Sequence, residues 1–329
     1  MSPAWSPDNS LLLYYDFDSN GIYQLYTMMP DGSANQCLTC AQTPGGPPVN
    51  RHKVNAVWDP AGKYIILQVE MDSHPLAFID KNKVISSLIL NGLWTNLYVM
   101  TVDGKHWYKL TDYSSKQTDG AMSPFFSRDG RKVLWSRIIA PASKEHPFGV
   151  WRLLLADFVE TGDTPTLEHI QDITPPGSSF VESHGFSPDG RSVIVTSDID
   201  NTTSFGMDIF TMDLASRTVR NLTRSPAWDE HAYFTPDGKR ISYMSSGPYP
   251  KDALKTELMM MNADGTDQVQ LTHFNVSGFP DSTSDQGMPT RALWDATGRR
   301  LAVTYQLAKG YPGSPVQVWL LTFAGVCGS

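Results

Sequence analysis

Residues 184–195 have the sequence HGFSPDGRSVIV, and this stretch decides the fold because similar stretches recur along the chain. In each of them a short strand ends in an aromatic residue, a turn of the Pro-Asp-Gly type follows, and a β-rich run begins. The other copies are AWSPDNSLLLYY from Ala4, AVWDPAGKYIIL from Ala56, PFFSRDGRKVLW from Pro124, AYFTPDGKRISY from Ala232 and ALWDATGRRLAV from Ala292. Six copies predict six β units of similar structure.

Two further strands complete the pattern of a unit. The third strand has an aliphatic residue, a bulky residue, any residue and then Met or Leu, as at residues 25–28. The fourth ends in Leu-Thr or Ile-Thr, at residues 38–39, 110–111, 173–174, 222–223 and 271–272. Four antiparallel strands per unit predict a β-propeller, because a ring of units buries the faces that a single unit leaves exposed.

The turn FSPDG at residues 186–190 resembles the hallmark of the TolB-type six-bladed propeller repeat, and the resemblance covers nearly the whole chain. It implies an all-β fold, a six-bladed β-propeller of four-stranded antiparallel blades that forms one domain. The expected blades are residues 1–41, 42–112, 113–175, 176–224, 225–273 and 274–329. This repeat occurs in binding proteins, peptidase accessory domains and carbohydrate-active enzymes, so it does not choose among these activities.

The last blade has a different strand count. Six turns and six third strands are accompanied by only five fourth strands that end in Leu-Thr or Ile-Thr. We therefore expect a last blade of three strands, or one that is closed by a segment preceding Met1. A removed signal region would explain the second case equally well.

Charge and hydropathy restrict the partners. Twenty-six Lys and Arg against 34 Asp and Glu leave a net charge of −8, which argues against a nucleic-acid partner. The most apolar stretch, residues 84–94, is interrupted by Ser and Asn, so no membrane span is expected. We expect a monomer. Because TolB-like propellers are commonly exported, the resemblance favours a periplasmic or secreted protein with its signal removed, and a cytoplasmic protein is the alternative.

Three cysteines, Cys37, Cys40 and Cys327, leave three interpretations open. Cys37 and Cys40 in an extended strand would lie roughly 10 Å apart, too far for a disulfide, so a bridge requires the strand to curl after Leu38. Free or structural thiols are the first interpretation and a local disulfide is the second. Metal binding is the third, although the other half of a zinc site is missing.

Candidate functional residues should lie where the innermost strands begin, because these strands line the channel of a propeller. Three positions before the aromatic residue, the six copies have Ser2, Asn55, Ser123, Ser183, His231 and Arg291. Ser183, His231 and Arg291 are in register and are expected to share one rim, with Glu182 and Glu230 beside them. Since side chains alternate along a strand, Glu230 and His231 cannot both face the channel unless the strand bends.

His184 and His231 are the candidate metal ligands. Together with Glu182 and Glu230 they would suit a divalent ion, and we consider Mn, Zn and Ca. The alternative is that these groups only hydrogen-bond neighbouring blades and channel water. The sequence has no HExxH motif or EF-hand loop that would favour the metal further.

Arg291 with Lys53 could clamp a carboxylate, and the alternative is an ion pair of Arg291 with Glu230 or Asp285. Arg137 and Trp94 lie in the long connections of blades two and three. The first of these, residues 71–96, is apolar enough to pack as an ordered flap. The candidate ligand-binding residues are therefore Asn55, Ser123, Ser183, Glu182, Glu230, Arg291, Arg137 and Trp94, and aromatic residues that could stack on sugars are Trp94, Tyr249, Phe279 and Tyr311.

Three functions agree with these residues. The first is a propeller that binds a polar ligand, either a glycan, a peptide or a protein segment, at the mouth of its channel. The second rests on a resemblance to oligogalacturonate lyase, which implies His184 and His231 as metal ligands, Lys53 as base and Arg291 as carboxylate clamp. The third resembles metal-dependent lactonases and would use Glu182 or Glu230 with Asn55. A nucleophile elbow and a phosphate-binding loop are absent from the sequence.

Overall fold

The computed structural model contains six β-sheets arranged as the blades of a propeller, which confirms the predicted fold class. It describes residues 2–74, 83–200, 206–250, 255–309 and 316–323. Cys327, Tyr311 and residues 75–82 of the expected flap lie outside these ranges. Among the described residues there is one helix, α1 (Lys83–Leu90), which lies in the connection between the second and third strands of blade two.

Each blade pairs its strands antiparallel in chain order. The innermost strands are β1 (Ala4–Trp5), β5 (Lys53–Trp58), β9 (Gly120–Phe126), β13 (Val181–Phe186), β17 (Asp229–Phe234) and β21 (Gly287–Trp294). The second strands are β2 (Leu12–Phe17), β6 (Tyr64–Glu70), β10 (Lys132–Ala140), β14 (Ser192–Ser197), β18 (Arg240–Ser245) and β22 (Arg300–Leu307). The predicted Pro-Asp-Gly turns join these two sets.

The outer half of each blade follows the predicted third and fourth strands. The third strands are β3 (Tyr23–Met28), β7 (Thr95–Thr101), β11 (Val150–Thr161), β15 (Asp208–Asp213), β19 (Glu257–Asn262) and β23 (Val316–Thr322). The fourth strands are β4 (Gln36–Cys37), β8 (Trp107–Lys109), β12 (Thr164–Asp172), β16 (Val219–Asn221) and β20 (Val269–Gln270). Within the described ranges the sixth blade has three strands, which confirms the shorter last blade.

The ring closes between the first and the last blade. The indole Nε1 of Trp5 donates a hydrogen bond to the carbonyl of Leu293 at 3.1 Å. The backbone N–H of Ala296 donates to the side-chain oxygen of Asn9 at 2.8 Å, and the Arg300 guanidinium lies 4.4 Å from the Trp5 ring. These contacts join residues almost 290 positions apart, so residues on different blades can meet at one site.

The second strands carry the largest share of the core. Ile65, Ile66 and Leu67 of β6, Trp135 of β10 and Val193 of β14 are all inaccessible to solvent. Each such strand lies inside its sheet and is covered by neighbouring blades on both faces, so it is apolar without alternation. A polar residue in such a strand is therefore unexpected and needs a partner.

Cys37 and Cys40 form a disulfide with their Cα atoms 5.8 Å apart. β4 ends at Cys37, and the chain turns after Leu38, whose N–H donates to the carbonyl of Leu25. This is the curl that a bridge requires, so the local disulfide is the arrangement found among the three interpretations.

The described part of the expected flap is α1 and the turn that follows it. This turn packs against the start of β9 so closely that a Cβ on Gly92 would lie 2.7 Å from the Cβ of Met122. A Cβ on Gly120 would lie 2.0 Å from the carbonyl oxygen of Gly92, so both positions require glycine. The turn at Gly92 is thus held in contact with the start of blade three. Of the described helices, none has the length and apolar character that crossing a bilayer requires.

Candidate functional site

The innermost strands contain a β-bulge at the position predicted to be functional. Asn55, Ser123 and His231 stand three residues before their aromatic residues and have φ of 49°, 52° and 54°. The pairing register shifts across each of them. A bulge lets two successive side chains leave the strand on the same side. Glu230 Oε2 and His231 Nε2 are 3.6 Å apart in consequence, so the bend that both side chains need is present.

Arg291 connects three blades to the last one. Its Nη2 donates to Ser123 Oγ at 2.8 Å and its Nη1 lies 3.3 Å from Asn55 Oδ1. Ser123 Oγ in turn donates to Glu182 Oε1 at 2.9 Å. Arg291 is 4% exposed and its guanidinium lies 5.4 Å from the Phe125 ring. Among the described residues, neither Glu230 nor Asp285 forms an ion pair with it, so the expected alternative is not found.

Ser183 has a structural role in this arrangement. Its hydroxyl donates to the carbonyl oxygen of Ser123, and its N–H donates to Ser136 Oγ at 2.9 Å. Both bonds join blade four to blade three. Two of the three residues predicted from register, Arg291 and His231, belong to a buried polar cluster that also contains Glu182, His184 and Glu230. Ser183 instead joins the two blades beside this cluster.

Glu182, His184 and His231 form a group that could hold a metal ion. Each offers one ligand atom, and the three atoms lie within 4.8 Å of one another. The rings of the two histidines are 5.6 Å apart and nearly perpendicular. His184 Nε2 lies 2.8 Å from Thr196 Oγ1, which leaves Nδ1 for another contact. The Nδ1 atoms of His184 and His231 are both buried and have no hydrogen-bond partner.

The electrostatics of the site follow from burial. Burial, together with the positive charge of Arg291, lowers the pKa of His231 to about 3. Burial, His231 and Arg291 lower the pKa of His184 well below its usual value. Both imidazoles are therefore neutral near pH 7, which is the form that binds metals.

The two carboxyl groups respond in the opposite direction. Burial raises the pKa of Glu182, against the lowering effects of Arg291 and the Ser123 hydroxyl. Burial and the charge of Glu182 raise the pKa of Glu230 well above its usual value. A shared proton between neighbouring buried carboxyl groups is the expected state without a cation. Arg291 favours Glu182 as the ionised member.

The donor set selects among the three metals considered. Two imidazole nitrogens and a carboxylate oxygen suit Mn or Zn, and three protein ligands leave a position open for water or a ligand. Ca prefers six to eight oxygen ligands, so it fits these residues poorly. The residues present therefore fit a divalent transition-metal ion.

The ammonium group of Lys53, the candidate base, is hydrogen-bonded to backbone carbonyls of the protein. Its Nζ donates to the carbonyl oxygens of Pro48, Val49 and Arg51 at 3.2, 3.2 and 2.9 Å, and the side chain is buried. Burial lowers the pKa of Lys53 to about 8. Three N–H groups with three acceptors indicate that Lys53 supports the loop before β5.

Arg137 and Trp94 are also occupied by contacts within the protein. Arg137 forms a two-point ion pair with Asp119, with both N–O distances 2.9 Å, and lies over the ring of Tyr113. Trp94 donates from Nε1 to the carbonyl of Gln117 at 3.1 Å and stacks on His74. Arg137 lies within β10 and not in a connection as expected, and both side chains stabilise the segment that leads into β9, through Asp119 and Gln117.

Sequence reasoning missed residues that support the cluster, namely Gln68 and Thr196 of the second strands and Tyr233 of β17. Gln68 accepts a hydrogen bond from Asn55 Nδ2 at 2.7 Å and one from the N–H of Ser123 at 3.0 Å. Thr196 bonds His184, and the ring of Tyr233 lies 5.6 Å from that of His184. The signal for Gln68 was available, since it interrupts the apolar run of residues 64–69 in β6.

The end of α1 covers the cluster on the side of blade two. The carbonyl of Leu90 accepts from Asn55 Nδ2 at 2.9 Å, and that of Ile89 lies 3.5 Å from Gln68 Nε2. Asn55 therefore contacts α1, Gln68 and Arg291 at once. The burial of Glu182, His184 and Arg291 favours a small ion over a bulky ligand at this depth.

No family model matches the chain. Among solved structures it is similar to a protein assigned as TolB from Agrobacterium tumefaciens, with TM-score 0.57, 19% identity, and 88% of this chain and 80% of that chain covered. TolB from Acinetobacter baumannii gives TM-score 0.53 and 14% identity, with 94% and 61% covered, so this chain spans less than two thirds of it. Oligogalacturonate lyase in complex with manganese gives TM-score 0.53 and 12% identity, with 96% and 75% covered.

These similarities concern the fold. A Mycobacterium tuberculosis puromycin-hydrolyzing peptidase is also similar, with TM-score 0.56 and 13% identity, and this chain covers 42% of it. The chain thus has the six-bladed TolB-type propeller fold, shared by proteins whose activities differ. The particular function must come from the residues of the site.

Proposed function

We propose that this propeller binds a divalent transition-metal ion, Mn or Zn, in its polar cluster. Glu182 and one imidazole nitrogen each from His184 and His231 would be the ligands. The observation that supports this most is that both Nδ1 atoms are buried without a partner, in two histidines that each place a ring nitrogen within 4.8 Å of the other and of a Glu182 oxygen. A buried polar atom without a partner is costly, and a cation in the cluster would remove that cost.

The surrounding residues have separate tasks in this proposal. Thr196 orients the ring of His184 through Nε2, as residues behind a metal ligand commonly do. Ser123 holds Glu182, and Arg291 holds Ser123. Glu230 would become a further ligand when the carboxyl pair gives up its proton. When bound, the ion would supply a positive centre that attracts and polarises an anionic ligand.

A metal analysis after removal and return of the ion tests the proposal. The full chain is treated with chelator, dialysed, and titrated with Mn or Zn by calorimetry, with the bound ion counted by mass spectrometry. We expect one ion per chain. Since even the loss of a residue behind a ligand costs 10- to 100-fold in affinity, His184→Ala with His231→Ala should cost more than about 100-fold.

Two variants make the result decisive. His169→Ala is the matched control, because the side chain of His169 is 72% exposed and is hydrogen-bonded to Asp157. The affinity of this variant for Mn or Zn should equal that of the wild type. His231→Gln is the milder variant if the double variant does not fold. Equal affinity in the wild type, His231→Gln and the double variant would overturn the metal centre.

The second candidate function is a metal-dependent reaction on an acidic carbohydrate. It is favoured by the fold shared with an oligogalacturonate lyase that was solved with manganese. The occupied ammonium of Lys53 argues against this residue as the base, so a lyase reaction would need another. Incubation with polyuronates with and without Mn tests it, and unsaturated product that appears only with the metal is the expected result.

A polar ligand at the channel mouth, whether glycan, peptide or protein, is supported less by these contacts. Arg137 and Trp94, two of the expected contacts of such a ligand, are bound within the protein, as is Lys53, the expected base and carboxylate clamp. A periplasmic or secreted location remains part of the proposal, and the disulfide Cys37–Cys40 supports it because such bonds persist in oxidising compartments. A monomer is the expected state.

A further inference from the structure

The outer edge of blade six differs from the other five. In blades one to five a fourth strand covers the third. Within the described ranges no strand pairs with the outer edge of β23, and Leu320 on this strand is 36% exposed. An uncovered strand of seven residues presents backbone N–H and C=O groups to any extended segment.

The other blades show what chemistry covers this edge. In all five, the N–H of an aliphatic residue donates to the carbonyl of one residue of the third strand. These pairs, each at 2.8 Å, are Leu38 with Leu25, Leu110 with Leu97, Ile173 with Leu153, Leu222 with Ile209 and Leu271 with Leu258. The same contact thus occurs in every blade that has four strands.

The threonine that follows completes the contact. Its hydroxyl accepts the N–H of the same third-strand residue, at 2.9 to 3.1 Å, in the case of Thr39, Thr111, Thr174, Thr223 and Thr272. Both backbone groups of one residue are therefore satisfied by two successive residues. We call this pair of bonds the aliphatic–threonine clamp.

Val318 is the equivalent position of blade six. In blade one the aromatic Trp5 pairs with Leu12, and the residue three positions after Leu12, Tyr15, pairs with Leu25. In blade six the aromatic Trp294 pairs with Leu301, and the residue three positions after Leu301, Thr304, pairs with Val318. The backbone of Val318 therefore stands where the other blades receive the clamp.

We propose that the outer edge of β23 binds an extended segment of a partner protein that carries an aliphatic residue followed by threonine. The segment runs antiparallel to β23 and places its clamp on Val318. The residue directly before the clamp is polar in four of the five blades, Lys109, Asp172, Asn221 and Gln270, so a polar residue at this position completes the motif. Backbone bonds supply affinity and the clamp supplies specificity.

A peptide copied from this chain tests the proposal. The hexapeptide DQVQLT, residues 267–272, contains the clamp of blade five, and it is added to the ¹⁵N-labelled full chain while amide resonances are followed. We expect saturable shifts of the Val318 and Trp319 amides, with weak affinity because only a few residues are bound. The same peptide with Thr272→Val or with an N-methyl group on the Leu271 amide should bind about tenfold less tightly, the value of one hydrogen bond.

The outcomes separate the alternatives. Equal shifts from all three peptides, or no shift of Val318 at the solubility limit, would overturn the proposal. A dimer that peptide does not dissociate would assign this edge to a second copy of the chain and overturn it as well. Because the changes are made in the peptide, the folding of the protein is not affected.

Discussion

The polar cluster and the outer rim, by which we mean Lys53, Arg137 and Trp94, looked equally functional in the sequence but differ in the structure. The three side chains of the outer rim use their polar groups for hydrogen bonds within the protein. In the cluster, His184 and His231 each retain a buried nitrogen without a partner. Unused hydrogen-bonding capacity in a buried place, and not polarity as such, therefore distinguishes a candidate site from structural support.

The largest effect on stability is expected when the guanidinium of Arg291 is removed from the cluster. Arg291→Met removes the donors to Ser123 and Asn55 and leaves the buried Glu182 without the positive charge that favours its ionised form. We expect the free energy of unfolding to fall by about 3 kcal/mol, as when one partner of a buried charged pair is removed. Urea denaturation with chelator present measures it.

The exposed residue Arg128 provides the control for Arg291. Arg128→Met should change the free energy of unfolding by less than about 0.5 kcal/mol, because surface substitutions rarely do more. If Arg291→Met were equally mild, the cluster would not depend on this charge and the contrast with the outer rim would disappear.

The next effect is a pH dependence at the outer rim. The pKa of Lys53 is lowered to about 8, whereas an unfolded lysine keeps a pKa near 10.4. Between these values the unfolded chain binds more protons, so the stability contributed by Lys53 rises with pH through this window and is lowest below pH 8. We expect the free energy of unfolding of the wild type to rise by about 1 to 2 kcal/mol relative to Lys53→Met between pH 8 and 10.

Denaturation of both proteins at four pH values between 7 and 10 measures this difference. Only the change with pH matters, so any constant effect of the substitution cancels. A difference that stays flat, or that falls as pH rises, would show that the three carbonyl contacts keep the ammonium at its ordinary pKa.

The smallest effect is expected for the ion pair of Arg137 and Asp119. The arginine side chain is 35% exposed, so water screens the pair, and Arg137→Leu should lower the free energy of unfolding by about 1 kcal/mol. The affinity of the cluster for Mn or Zn should not change. A tenfold loss of that affinity in Arg137→Leu would mean that the outer rim and the cluster form one site.

The fold could be predicted because its information is local and repeated. Each FSPDG-like turn is stabilised within a few residues, as where Ser187 Oγ donates to Asp189 and accepts the N–H of Ser192. The five Leu-Thr or Ile-Thr pairs foretold the three-stranded last blade. The site was predicted only in part, because the bulges at Asn55, Ser123 and His231 are not visible in residue types.

What the sequence determined by itself is the number of blades, the order of their strands and the residue types that line the channel. These depend on turn chemistry and on apolar runs, both of which act over short distances. What only the tertiary structure decided is which polar groups are satisfied. Arg291 meets Ser123 across 168 positions, and Lys53 meets three carbonyls of the loop before it. Hydrogen-bond partners depend on ring closure, and only the closed ring leaves His184 and His231 with free nitrogens.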